Sequence, residues 1–411
     1  KNPVLILSAG FFYLTGSSAI IFTANFLIMF ASIAVIFPSR TGVTAVGRTV
    51  RSAYFSGSAR PAVRDVISQL FIESILRTKT YSLMAVILRI STVFTGAPYS
   101  FGYMKGGQKA RWVDEDMADY FIGKFRKYMD ERDKDKPFFM YLAYLAPHDP
   151  RTMPDEFRAM YDEEKISLPP NFQQIIDTNY PLMVHRDESL AAYPRDEKEI
   201  KRHIAEYFAM ITHLDFEIGR LLDALEKSGE RDNTIIVFTG DNGLAVGQHG
   251  WLGKEDIYEH GVRIPLIMAG PEIAKNTRND AYVYLYDIFP TLCEKVGIDI
   301  PSSVDGKSFA KLLDGEHGES FRDELYLIFD KFVRGVKDEN FKLIEYRNGD
   351  NEEDKWTFLY DIKNDPWETK NLANDENYKN KVDEMREKII RHRNEWEEQK
   401  HPWGVDFWTR F

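Results

Sequence analysis

The sequence predicts an α/β protein: a large mixed, mainly parallel sheet sandwiched by helices, followed by a smaller C-terminal antiparallel sheet with a helix. The apolar runs 138–145 and 234–239 are rich in β-branched and aromatic residues and end in polar loops, as buried strands of a parallel sheet do. Residues 197–228 have apolar side chains at helical spacing, and the order strand, helix, strand favours an α/β architecture.

Each further element has its own local signal. Residues 112–132 show helical periodicity with charge on one face, and Lys136-Pro137 separates them from the first apolar run. Gly229 ends the 197–228 helix, and another helix is predicted over 282–296. Beyond these, turn residues such as Asn348-Gly349 separate four short strands of an antiparallel sheet. The predicted strands are 325–329, 333–336, 341–346 and 356–360.

The composition shifts after Gly315, which predicts a catalytic α/β domain over 1–316 and a C-terminal α+β subdomain over 317–411. Residues 155–195, rich in proline, charge and aromatics, are predicted to be a long surface excursion. In it, His185, Arg186 and Arg195 are interpreted as solvated surface charges in preference to contacts for an anionic substrate.

Composition restricts the function classes. A net charge of −11 over 411 residues argues against nucleic acid as a partner. Cys293, the single cysteine, excludes an internal disulfide and is expected to be a buried helical thiol. Residues 19–37 are long enough to cross a membrane, but polar residues interrupt them and no membrane span is expected.

Polar residues follow the strand over 234–239 directly. Asp241 and Asn242 lie at its carboxyl end, the edge where open α/β sheets bind ligands. An anionic and a neutral oxygen together suit a hard cation such as calcium or magnesium. These residues alone, however, favour an ordinary Asp-Asn-Gly turn.

The residues that follow change that interpretation. A glycine-rich loop containing His249 leads to Lys254 and then to a second apolar strand over 266–268. The unit 234–271 closely resembles the sulfatase family of the alkaline phosphatase superfamily. The resemblance implies that Asp241 and Asn242 bind calcium (or magnesium), and that Lys254 holds the sulfate.

Two further segments are similar to the same family. Residues 146–150 (APHDP) match its Pro-His-x-Pro segment, which implies that His148 contacts the sulfate or the leaving-group oxygen; taken alone, His148 is equally well explained as a turn residue. Residues 359–372 look like its structural C-terminal segment. His249, within Gly-Gln-His-Gly, looks most like bacterial sulfatases of sulfated carbohydrates, and is expected to bind substrate.

The N-terminal third departs from the family pattern. Gly10 and Phe11 stand where a metal-binding Asp pair is expected. Residues 36–40 align with the signature Cys/Ser-x-Pro-Ser-Arg, whose first residue is oxidised to formylglycine, the family nucleophile. Ile36 occupies that position and cannot become an aldehyde hydrate, whereas Arg40, which supports the nucleophile loop, is retained.

Leu88 and Ile90 replace a lysine and a histidine that would touch the sulfate. Up to residue 104 the chain has only 11 of its 117 charged residues. Either the protein is a non-catalytic relative, or these residues are not those of the gene. We favour the second explanation, because a decayed enzyme would keep the surface charges that make its helices soluble.

The predicted function is hydrolysis of a sulfate ester by a metal-assisted formylglycine mechanism. The expected substrate is a small-molecule or oligosaccharide sulfate ester in which a carbohydrate carries the sulfate. Two alternatives remain: a phosphonate or phosphate-diester hydrolase of the same superfamily, and a non-catalytic binder of sulfated glycans. By family analogy the protein is expected outside the cytoplasm.

Overall fold

A computed structural model describes residues 5–10, 31–36, 113–176, 186–315 and 321–411. Twelve strands lie in these ranges, in a six-stranded sheet, a four-stranded sheet and a two-stranded hairpin. They are β1 (Leu5–Gly10), β2 (Ala31–Ile36), β3 (Phe139–Tyr144), β4 (Ile235–Gly240), β5 (Ala245–Val246), β6 (Leu252–Gly253), β7 (Ile264–Ala269), β8 (Arg278–Tyr284), β9 (Glu324–Phe329), β10 (Val333–Asp338), β11 (Lys342–Arg347) and β12 (Lys355–Tyr360).

Eight α-helices lie in the same part of the chain. The longest begins after Asp196, whose side chain accepts a hydrogen bond from the Glu199 amide at 2.8 Å and caps the first turn. The helices are α1 (Val113–Glu131), α2 (Asp155–Arg158), α3 (Glu197–Lys227), α4 (Glu259–Val262), α5 (Ile288–Lys295), α6 (Ala310–Leu313), α7 (Lys379–Glu395) and α8 (Pro402–Trp408).

The six-stranded sheet has the order β3-β2-β4-β7-β1-β8. β1 and β8 are parallel neighbours, whereas β4 is antiparallel to both β2 and β7. The mixed α/β class is confirmed, but the expectation that β4 has parallel neighbours is wrong. The apolar run indicates that β4 is buried, and burial does not specify the direction of the adjacent strands.

Alternate residues of β4 face helices on both sides of the sheet. Ile236 packs in a core with Phe121 of α1 and Leu214 of α3, while Ile235 packs with Leu292 of α5 on the other face. The predicted sandwich of helices around the sheet is therefore confirmed.

Most predicted elements agree with the structure to within two residues, including α1, β3, α3 and the four C-terminal strands. The helix predicted over 282–296 is partly wrong, because β8 continues to Tyr284 and α5 begins only at Ile288. β-branched and aromatic residues at 282–284 extend the strand, which pairs with β1.

The C-terminal sheet is an antiparallel meander of order β12-β11-β10-β9, as predicted. α7 covers one face, where Met385 and Ile389 are fully buried. Asn348 begins the turn between β11 and β12, and its amide donates to the Asp354 carbonyl at 3.0 Å. The division at residue 316 stays a prediction.

Cys293 lies buried in α5, and burial raises the pKa of its thiol. The expected buried role is therefore confirmed. Among the helices described, none is both long and apolar enough to cross a membrane.

Candidate functional site

The loop after β4 contains the two predicted metal ligands. Asp241 Oδ1 accepts a hydrogen bond from the Asn242 amide at 3.0 Å, and Asn242 Nδ2 donates to the Gly243 carbonyl at 2.7 Å. Asn242 is 8 % exposed, and its Oδ1 has no hydrogen-bond partner among the described residues. A buried acceptor without a donor costs free energy unless a ligand satisfies it.

Position 243, directly after Asn242, requires a glycine. The Gly243 amide donates to the Gly261 carbonyl at 2.8 Å, and a Cβ on Gly243 would lie 1.9 Å from the His260 carbonyl oxygen. This close approach fixes the loop of Asp241 and Asn242 against α4.

Lys254 lies two residues after Leu252 of β6 in a cluster with His148 and Asp187. Its Nζ is 3.1 Å from Asp187 Oδ2 and 3.4 Å from His148 Nε2. The side chains of Lys254 and Asp187 are each 7 % exposed. His148 and Lys254, which are 106 positions apart in the sequence, are thus in contact through one buried ammonium group.

The contacts of His148 determine its protonation. Nδ1 lies 2.7 Å from the Asp149 carbonyl, which can only accept, so Nδ1 donates and Nε2 is left to accept from Lys254. Burial lowers the pKa of His148; the Asp149 carbonyl opposes this, and the Lys254 charge lowers it further. The imidazole is therefore neutral at pH 7.

His249, in the glycine-rich loop between β5 and β6, has surroundings of a different kind. It has a left-handed backbone (φ 52°) and stacks on Tyr258 with ring centroids 4.1 Å apart. Burial and the neighbouring His260 lower the pKa of His249 to about 3, and its Nε2 has no partner among the described residues. Its substrate-binding role stays a prediction.

A network of buried charges joins α4 to the C-terminal sheet. Lys342 is fully buried, with Nζ 3.1 Å from Glu259 Oε1 and 2.9 Å from Glu368 Oε1. Lys337 Nζ lies 2.8 Å from both carboxylate oxygens of Glu259. Burial alone would raise the pKa of Glu259, but Lys337 and Lys342 outweigh it and hold that pKa well below its usual value.

The strand register separates the N-terminal positions. Ala9 pairs with Ile264, which places Gly10 at the edge of the sheet where β4 ends. Ile36 pairs with Ile235 at the opposite end, because β2 runs antiparallel to β4. The structure therefore does not bring Ile36 to Asp241, and the assignment of position 36 to this site stays a prediction. The other predicted N-terminal positions, Phe11, Arg40, Leu88 and Ile90, lie outside the described residues.

Sequence reasoning missed Asp187 and misjudged Arg195. Arg195 is 1 % exposed, and its guanidinium donates to the carbonyls of Gly250 and Ala191 and to the carboxylate of Glu188. It is a buried structural residue, which corrects the surface interpretation. Only the acidic first turn of the short helix Arg186–Leu190 marks Asp187 in the sequence, and that signal is not specific. His185 lies outside the described residues.

The residues present fit a cation in part. Asp241 and Asn242 offer two oxygens, and that of Asn242 is buried and unpartnered, as a metal ligand would be. Calcium takes about six to eight oxygens, so further ligands are needed. The described ranges contain no group of three or more His, Cys, Asp or Glu arranged to hold a metal.

Comparison with known families decides the identity. The sequence model of the sulfatase family matches residues 84–298, more than half of the chain. The chain belongs to the sulfatase family. A second model, described as the C-terminal part of N-sulphoglucosamine sulphohydrolase, matches residues 247–395 of this sulfatase-family protein. The first match includes His148, Asp241 and Lys254 but not Gly10 or Ile36.

Curated relatives are similar over much of this family member. A sulfatase of Formosa agariphila is 29 % identical over 332 residues, covering 78 % of this chain and 61 % of the relative. An arylsulfatase of Clostridium perfringens is 29 % identical, with 71 % and 59 % covered. An N-acetylglucosamine-6-O-sulfatase of Bacteroides thetaiotaomicron is 34 % identical over 196 residues, with 45 % and 34 % covered. The chain thus spans about three fifths of the length of the first two relatives.

Solved structures share the fold. A phosphonate monoester hydrolase of Agrobacterium radiobacter has a TM-score of 0.60 at 24 % identity, covering 74 % of this chain and 65 % of that chain. A protein solved with its substrate D-glucosamine-2-N,6-O-disulfate has a TM-score of 0.59 at 23 % identity, with 70 % and 71 % covered. These similarities confirm the alkaline-phosphatase-like architecture.

Proposed function

We propose that this sulfatase-family protein acts on sulfate esters of carbohydrates, at the edge of the sheet where β3 and β4 end. The observation that carries the proposal is the buried ammonium group of Lys254, held between the neutral His148 and Asp187. β3 and β4 run in the same direction, so the loop of His148 and the loop of Asp241 lie at the same edge. The sulfatase relatives, one of them named for N-acetylglucosamine 6-O-sulfate, support a carbohydrate substrate.

The chemistry of these groups suits a sulfate ester. Cleavage must balance negative charge on the sulfate oxygens and on the departing alkoxide, and fixed cations do so best where water is scarce. Lys254 holds protons at Nζ that can be donated to either oxygen. His148 Nε2, which accepts from Lys254, fixes the direction of that ammonium group.

Asp241 and Asn242 would hold a calcium or magnesium ion in the proposed site. When bound, the cation supplies positive charge that binds and polarises the sulfate. The unpartnered Asn242 Oδ1 supports this assignment.

Formylglycine does not fit the residues present. Isoleucine cannot be converted to an aldehyde, and the register places Ile36 away from Asp241. The described residues therefore supply the binding half of a site. An extracytoplasmic location stays a prediction.

The test combines binding with turnover. The full chain, expressed from its gene and checked at residue 36 by peptide mass mapping, is titrated with N-acetylglucosamine-6-sulfate in calcium and assayed for sulfate release. We expect the protein with Ile36 to bind the sulfated sugar and to release no sulfate.

Parallel assays with 4-nitrophenyl sulfate and a phenylphosphonate monoester separate the alternatives. Faster turnover of the phosphonate would favour the phosphonate hydrolase, and failure to bind the sulfated sugar would overturn the proposal. Sulfate release by the Ile36 protein would show that another residue is the nucleophile.

A further inference from the structure

Asp187 accepts a hydrogen bond from the ammonium group of Lys254. No pattern in the sequence predicted a role for this residue. Its Oδ2 lies 3.1 Å from Nζ, with both side chains 7 % exposed. Because Lys254 is the proposed sulfate contact, an ester group that binds to it must also lie close to Asp187. This inference rests on the proposed function.

The charged groups around Lys254 are mainly acidic. His148 is neutral, so Asp187 balances Lys254 and leaves no net positive charge in this pair. The Glu255 carboxylate is also nearby, because its Oε2 accepts a hydrogen bond from the Lys254 backbone amide at 2.9 Å. Asp149 is 3.2 Å from Arg151, which balances its charge.

A buried carboxylate discriminates between anions by charge. In a site where little water screens the field, a second negative charge on the ligand is repelled more strongly than in solution. Sulfate monoesters, phosphate diesters and phosphonate monoesters carry one negative charge. A phosphate monoester carries nearly two at pH 8, because its second pKa is about 6.

We propose that Asp187 is a specificity-determining residue that selects singly charged esters and disfavours phosphate monoesters. It acts by balancing the charge of Lys254: the ammonium group can still donate hydrogen bonds to an ester oxygen, but no net positive charge remains in the pair to compensate a second negative charge on the ligand. Its removal should broaden anion selectivity while leaving the sulfate contact in place.

Three ligands that share the same sugar isolate the effect of ligand charge on binding. They are N-acetylglucosamine carrying a 6-sulfate, a 6-phosphate, or a 6-(methyl phosphate) diester, titrated at pH 8 in constant calcium into the full chain. We expect the wild type to bind the sulfate and the diester similarly and the phosphate monoester about tenfold more weakly. Asp187→Asn should narrow that gap to about twofold by strengthening phosphate binding.

Two controls match the variant. Asp187→Glu keeps the charge and should keep the wild-type selectivity, and Glu226→Gln removes an exposed charge of α3 and should also leave it unchanged. Thermal melting confirms that each variant is folded. If Asp187→Asn does not fold, Asp187→Ser, which also removes the charge, is titrated in its place.

The outcomes separate this inference from the proposed function. Equal binding of the three ligands by the wild type, or an unchanged gap in folded Asp187→Asn, would overturn the role of Asp187. If the sulfate binds equally well to Lys254→Met, or if none of the ligands binds to the wild type, the proposed function fails and the inference falls with it.

Discussion

Two buried lysines of this protein have contrasting surroundings. Lys342, at the start of β11, is fully buried between two carboxylates, those of Glu259 and Glu368. Lys254 contacts the carboxylate of Asp187 and a neutral imidazole. The first arrangement joins two parts of the fold, whereas the second pairs the ammonium group with a single carboxylate and a neutral acceptor.

Two asparagines, which are uncharged, also differ in how completely their side chains are hydrogen-bonded. Asn371 Oδ1 accepts from the Leu359 and Ala373 amides at 3.0 and 2.9 Å, and its Nδ2 donates to the Thr357 carbonyl at 3.1 Å. Asn242 Oδ1 is buried with no partner among the described residues. Asn371 is thus paired as a structural residue is, whereas Asn242 keeps an oxygen that a cation could bind.

The largest expected effect tests the structural lysine. Lys342→Met leaves Glu259 and Glu368 buried without their shared cation and should lower the free energy of unfolding by about 4 kcal/mol. Lys254→Met leaves only one carboxylate, that of Asp187, without its cation, and should lower the free energy of unfolding by less. Denaturant unfolding measures both, with Lys355→Met as a control that should change stability by about 0.5 kcal/mol or less, since its partner Glu352 is 90 % exposed. A smaller loss for Lys342→Met than for Lys254→Met would contradict the comparison.

Calcium should stabilise the protein through the incompletely paired loop. At a concentration a hundredfold above its dissociation constant, calcium should raise the free energy of unfolding by about 2.7 kcal/mol. Asp241→Asn should abolish most of that gain, while Asp350→Asn, an exposed acid beside Arg410, should retain it. Differential scanning calorimetry with and without calcium measures the difference; equal gains in both variants would remove Asp241 from the metal site.

A smaller effect concerns His249. Below pH 6.5 the unfolded chain takes up a proton that the folded chain does not bind until about pH 3, so stability is lost as the pH falls through that window. Between pH 6.5 and 5 the loss from this residue should be about 2 kcal/mol. His249→Asn suits the left-handed backbone and should reduce the slope of stability against pH. An unchanged slope in urea unfolding series would show that His249 takes up its proton over the same pH range in the folded and the unfolded chain.

Local patterns were sufficient for much of the fold and part of the site. The apolar run of β4, the spacing of α3 and the loop positions of Asp241, His148 and Lys254 follow from short stretches of sequence, since each depends on neighbours along the chain. Family resemblance then supplied their expected roles.

Long-range partners were not accessible in the same way. Asp187 lies 67 residues from Lys254, and no periodicity links them. Arg195 has the composition of a surface residue, but carbonyls and Glu188 satisfy its charge in the interior. The direction of β2 beside β4, which places Ile36 away from Asp241, also depends on pairing that one strand does not encode.

The most direct test of the central claim is the affinity of Lys254→Met for N-acetylglucosamine-6-sulfate, measured by calorimetric titration in calcium. Loss of a charged hydrogen bond predicts an affinity about 30-fold below that of the wild type, with cooperative unfolding retained. An affinity equal to that of the wild type in a folded variant would contradict the assignment of this site to sulfate ester binding.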